Sequence, residues 1–260
     1  MLAAGACATY GASVCPGSVL AAAASRPPNG PPATLSASFA PEHLGAPTTV
    51  SFAVNIDPPA SGVPLALAAV TISYPSDLGL ATSGLGLASC EASVLEQQGP
   101  AACPPNAKMG QGSALVEVPF GPAIVKESVS LQLYAAPSND GYIHLAILAH
   151  GEEPVLGSVV LPGVLYPGQV QITVPAIPSL PEAHDVALLS LHVSLGGALT
   201  YYEDVHGRSV AYTPRGIGLP DTCPHGGFKL AAAFIFTDGQ SSSASTVIGC
   251  PRAAHHHRMR

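Results

Sequence analysis

The 260-residue chain contains no tryptophan, and aromatic residues make up only 5% of it. A core must therefore lean on Val, Leu, Ile and Ala. Charge is equally sparse: Asp, Glu, Lys and Arg together supply 10% of the residues, against about a quarter in ordinary soluble domains. There is no run of like charges and the formal net charge is -7, so the electrostatic footprint that nucleic acid requires is missing. Past the N-terminus, no stretch of about 18 apolar residues continues without Pro, Gly or polar interruption, which excludes a transmembrane anchor in the body of the chain. Also missing are Cys-x-x-Cys, Gly-x-Ser-x-Gly, and any Gly-rich loop followed by a helix and Lys. Without them the sequence assigns no catalytic residue, no metal ligand and no cofactor.

What the chain has in abundance is Gly and Pro, 27 of each, alongside 47% apolar residues. Dense Pro disfavours long helices and central parallel strands, whereas short strands joined by turns tolerate it. Period-two alternation marks strands at Thr34 to Phe39, Thr48 to Ile56 and Leu65 to Tyr74. It returns at Ala114 to Val118, Ser128 to Tyr134, Tyr142 to Ala149, Gly157 to Leu161, Gln169 to Val174, Leu188 to Leu195, Ser209 to Thr213 and Phe228 to Thr237. Turn residues separate them, among them Ser138 to Gly141, Pro167-Gly168 and Asp238-Gly239. The fold class read from this is all-β: one large or two consecutive antiparallel β-sandwich-like units with short helical turns and two local disulfides. Divided by composition, residues 1–32 are a signal-like leader and Pro-rich linker, 33–112 an N-terminal β domain, 113–251 a C-terminal β-sandwich domain and 252–260 a disordered tail.

Six cysteines are present, two in the leader and four in the body. The four allow three connectivities, and proximity favours Cys90 with Cys103 and Cys223 with Cys250. The first bridge would enclose a helical turn over Ser93 to Gln98, with Ser93 as N-cap and Glu96 completing a capping box. After it, Asn106 to Met109 reads as one further short turn ahead of Gly110. Disulfides belong to an oxidising compartment. The leader agrees: its Ala21 to Ala24 run resembles a signal-peptidase site, although no Lys or Arg precedes the apolar part. Cys7 in its small-residue setting is a weak lipidation box. Together these place the protein outside the cell or in the cell envelope.

His144 and His192 sit in strands and should face outward; His150 with Glu152 and Glu153, and His184 with Glu182 and Asp185, are loop clusters with too few ligands for a metal site. His255 to His257 belong to the tail, and Ser83 lies in a Gly-rich turn with no helix after it. Glu117, Glu127, Glu203 and Asp204 are the acids that a glycosidase reading would need to pair. The best candidate for ligand binding is Tyr201-Tyr202-Glu203-Asp204, where amphipathic rings sit beside acids at a strand end.

The chain also carries Cys103-Pro104-Pro105-Asn106-Ala107-Lys108-Met109-Gly110, then Val174 to Pro178, Gly196-Gly197, Thr213-Pro214 before Cys223, and Asp238-Gly239 closing on Cys250-Pro251. In these it resembles a family of uncharacterised secreted bacterial β-rich proteins, over about residues 70 to 251. Ala107 stands where Ser is frequent, and the insert TPRGIGLPDTC is longer. The resemblance implies export and a β fold and brings no catalytic residues. The expected function is a non-catalytic binding or structural module whose partner is a surface glycan or another envelope protein. The alternative is a secreted hydrolase acting on carbohydrate or ester, which requires acids, or a Ser and a His, to converge from distant loops.

Overall fold

A computed structural model describes residues 29–58, 65–81, 88–120, 123–153, 156–175, 185–196, 201–212 and 216–251. The leader up to residue 28, Ser83, Glu182, His184 and the tail with His255 to His257 lie outside the described residues. In chain order the strands are β1 (Ala33–Ala40), β2 (Pro47–Ile56), β3 (Leu67–Ser73) and β4 (Gly79–Ala81). Helix α1 (Ala92–Gln98) follows, and then β5 (Lys108–Phe120), β6 (Ala123–Ala136), β7 (Ile143–Gly151), β8 (Gly157–Tyr166) and β9 (Gln169–Thr173). The last six are β10 (Ala187–Leu195), β11 (Tyr201–Val205), β12 (Arg208–Tyr212), β13 (Gly216–Gly218), β14 (Phe228–Phe236) and β15 (Ser241–Ile248). The all-β class with two local disulfides is what the chain adopts.

Alternation decides which side of each strand faces in. Along β14, Phe228, Leu230, Ala232, Phe234 and Phe236 are buried while Lys229, Ala231, Ala233 and Ile235 are exposed. β2 does the same with Val50, Phe52, Val54 and Ile56. Their inner faces meet those of β1, β3, β6, β7 and β9 in one cluster. Five of the six phenylalanines lie in that cluster, and Phe228, Phe234 and Phe236 are among the largest fully buried side chains. The core is thus less purely aliphatic than composition suggests, because the few rings are concentrated where each removes the most area from water.

Among the described residues, thirteen strands form one antiparallel sheet, curled until it is nearly closed. Eleven of them make the ring, in the order β1, β2, β10, β5, β6, β7, β8, β9, β3, β14, β15, while β13 and β4 extend from the start of β2. The boundary expected between residues 112 and 113 falls inside β5 and divides no sheet. β2 pairs with β10 and β3 sits between β9 and β14, so both stretches supply strands to the same sheet and the same core.

Ten successive antiparallel pairings lead from β1 round to β15. β1 and β15 therefore run parallel where the ring meets itself, and no ladder joins them. A strap holds one end of this seam. Asn29 and Gly30 donate their N–H groups to Ser241 O, at 3.0 and 2.8 Å, and Ser241 N–H donates to Asn29 Oδ1. Ser242 Oγ donates to Pro31 O, and Asp57 N–H donates to Pro32 O on the β2 side. Near the other end the rings of Phe39 and Phe228 meet edge to face at 5.1 Å.

Two local readings are corrected. The short turn expected at Asn106 to Met109 is present one residue earlier, as a 3-10 turn over Pro105–Ala107, and β5 begins at Lys108 within the expected span; Gly110 and Gly112 bring the β5 backbone hard against that of β10, where a Cβ on either would strike the carbonyl oxygens of Ser194 and His192. Helix α1 starts one residue before Ser93, with Glu91 as its N-cap and no side-chain cap. The Glu91 carbonyl itself takes the N–H groups of Val94 and Leu95, leaving Ser93 inside the first turn. The bridges are Cys90–Cys103 and Cys223–Cys250. The first holds α1 and its Leu95 over the outer face of β6, β7 and β8, where Tyr134, Ala146, Leu148 and Val160 form a second apolar cluster.

Candidate functional site

The four residues Tyr201 to Asp204 occupy β11, which pairs with β12 alone as a two-stranded hairpin separate from the large sheet. His206 and Gly207 make its turn, both at positive φ (54° and 77°), the conformation that matches the right-handed twist of a two-residue hairpin. Gly207 adopts it without cost, and Asp204 Oδ1 fixes the turn by accepting the Gly207 N–H at 2.7 Å. Register pairs Tyr202 with Ala211 and Asp204 with Ser209, so these four share one face. That face is solvent-exposed, and Tyr202 is 70% exposed. In the same register Tyr201 pairs with Tyr212 and Glu203 with Val210; Val205 and Val210 are half-buried.

Of the four candidates, Tyr202 and Asp204 are presented together on the exposed face. The turn that builds the site was not read from the sequence, since His-Gly is a weaker hairpin signal than Asn-Gly or Asp-Gly. Gly207 between two β-patterned runs was the available clue.

The other ionisable groups are dispersed. His144 Nε2 bonds Asp140 Oδ2 at 2.9 Å, and His150 Nδ1 bonds Ser158 Oγ at 2.7 Å. Both histidines point outward from β7, six residues apart, which on an extended strand is about 20 Å. A Ser, a His and an Asp are present, yet the Asp-bonded and Ser-bonded histidines are different residues at opposite ends of the strand. Near the first lies an edge-to-face pair, Tyr142 and Tyr166, with centroids 4.7 Å apart. The Tyr74 hydroxyl donates to Tyr166 O at 2.7 Å, and burial raises its pKa. Glu117 and Glu127 cannot act as paired carboxylates: register puts Glu127 on the buried inner face opposite Val116, and Glu117 on the outer face opposite Lys126. His192 is exposed on β10, as alternation implied. Among the described residues no three His, Cys, Asp or Glu side chains gather around a point where a metal ion would sit. Nor is any helix among them long and apolar enough to cross a membrane.

No family model, no curated protein and no solved structure matches this chain.

Proposed function

We propose that this chain is an exported, non-catalytic binding module of the cell envelope or extracellular space, and that the face of β11–β12 carrying Tyr202 and Asp204 meets its partner. The observation that carries the reading is the 70% exposure of Tyr202 on a ribbon outside the main sheet. A large exposed ring with a polar tip is a costly surface feature in a chain so poor in aromatics, and suits stacking on a sugar or packing against a protein. Asp204 beside it, held by the turn, supplies an acceptor of fixed direction. Export is supported by the two disulfides, and a surface glycan or another envelope protein is the partner such a face fits. The bacterial family resembled in the Cys-Pro and Asp-Gly elements agrees with that setting.

The test is Tyr202→Ala, assayed against a glycan array and against envelope fractions. Retained folding, with binding weakened by roughly 10- to 30-fold, is the result expected for an interfacial tyrosine. Unchanged binding by the folded variant would remove the hairpin from the reading.

A further inference from the structure

We propose that the seam between β1 and β15 is an acceptor site for one extended strand of a partner protein, inserted antiparallel to both. A closed ring in which every neighbour is antiparallel needs an even number of strands. This ring has eleven, so one pair of neighbours must run the same way, and the fold puts that pair at the seam. A twelfth strand there would complete an all-antiparallel barrel.

The backbone is arranged to receive it. Because Asp57 N–H bonds Pro32 O, the even-numbered residues of β1 turn their N–H and C=O groups toward β2. Ala33, Leu35, Ala37 and Phe39 therefore turn theirs toward the seam. On β15, the bond from Phe236 N–H to Gln240 O sets the same parity, turning the even-numbered residues toward β14 and leaving Ser243, Ser245 and Val247 facing the seam beyond the strap at Ser241. A row of donors and acceptors without a ladder is a template for strand addition.

The flanking side chains specify the occupant. Facing inward beside the seam are Leu35, Phe39, Ala244 and Ile248; facing outward are Ser36, Ser38, Ser243 and Ser245. Neither β1 nor β15 contains a charged residue. The strand that fits alternates apolar with small uncharged residues, since a charge on its inner face would be desolvated without a counter-ion. Admission requires the seam to widen by about one strand spacing, ~4.8 Å, and the strap from Asn29 to Pro32 is the latch that must yield. Gly30 is built into that latch: a Cβ there would lie 2.7 Å from Ser242 Oγ and 3.0 Å from the Phe236 ring.

The experiment is residue-resolved amide exchange on the full chain, with and without an acetylated, amidated octapeptide of alternating Val and Ser. Without peptide, the amides of Leu35, Ala37, Phe39, Ser243, Ser245 and Val247 should exchange at least about tenfold faster than those of Ser36, Ser38, Ala244 and Thr246. Peptide should slow the first group by about tenfold or more, and the same peptide N-methylated at alternate amides should not. Gly30→Val, or Asn29→Ala if the former does not fold, should tighten peptide binding by roughly tenfold as the latch loosens. Equal exchange of the two groups in the free chain, equal protection by the N-methylated peptide, or protection confined to other strands would overturn the proposal. Protection that grows with protein concentration alone would assign the seam to a second copy of the chain and overturn the partner-strand reading. Tyr202→Ala should leave all of this unchanged, which keeps the seam and the hairpin separable.

Discussion

In the β6–β7 turn, Asp140 accepts hydrogen bonds from His144 Nε2, the Tyr142 N–H and Ser138 Oγ. The bond with His144, followed by that from the Tyr142 backbone, lowers its pKa to about 2 from the ordinary 3.8. A carboxylate whose folded value lies below its unfolded one stabilises the fold above the unfolded value, and that contribution is lost as pH falls from 3.8 toward about 2. The group is solvent-exposed, so the effect is small in absolute terms. Urea midpoints recorded from about pH 5 down to about pH 2 should fall less steeply for Asp140→Asn than for the parent, and parallel curves would show that the turn does not hold the carboxylate. That His144 and His192 face outward was legible from alternation alone. That Asp140 binds His144 was not, because the contact depends on how four turn residues fold back on the strand.

Among the elements, β5 shows best how a strand can be hidden by its own residues. Gly110 follows what reads as a turn, yet Gly110 and Gly112 let the backbones of β5 and β10 approach. Gly112→Ala should cost about 1–3 kcal/mol, since the colliding atom is the backbone carbonyl of His192 and cannot rotate away. Chemical denaturation would measure it, and a change under about 0.5 kcal/mol, the usual range for surface substitutions, would mean that the sheet accommodates a Cβ there. On β14 the same method succeeds because its pattern is unbroken: every second side chain from Phe228 to Phe236 is buried. Truncating Phe234 to Ala should cost about 3–5 kcal/mol, set against a loss within about 0.5 kcal/mol for Ala233→Ser on the exposed opposite face.

For the molecule as a whole, the bridges and the ring have different jobs. Cys223–Cys250 spans 27 residues and encloses the whole β14–β15 hairpin. In the chain-entropy account a loop of that size contributes about 3.5 kcal/mol, and Cys90–Cys103, spanning 13, roughly 3 kcal/mol. Replacing Cys223 and Cys250 with Ser should lower stability by about 2–5 kcal/mol and raise amide exchange first in β15, which borders the seam. Uniform loss of protection around the ring would instead show that the hairpin unfolds only with the whole. Replacing Cys90 and Cys103 should act elsewhere, by releasing α1 and uncovering Leu148 and Val160 on β7 and β8.

The sequence by itself determined the all-β class and the faces of most strands, favoured the two local bridges over the other two connectivities, and marked the Tyr201 to Asp204 stretch as a place to look. Each depends on interactions between residues close along the chain: alternation, turn chemistry and short loop closure. Only the tertiary structure decided that residues on both sides of position 112 share one sheet. The same holds for Tyr202 standing out on an isolated ribbon and for the ring of eleven strands meeting itself in parallel. Those outcomes depend on which strands become neighbours across scores of residues, and a period of two is the same whichever neighbour a strand finds.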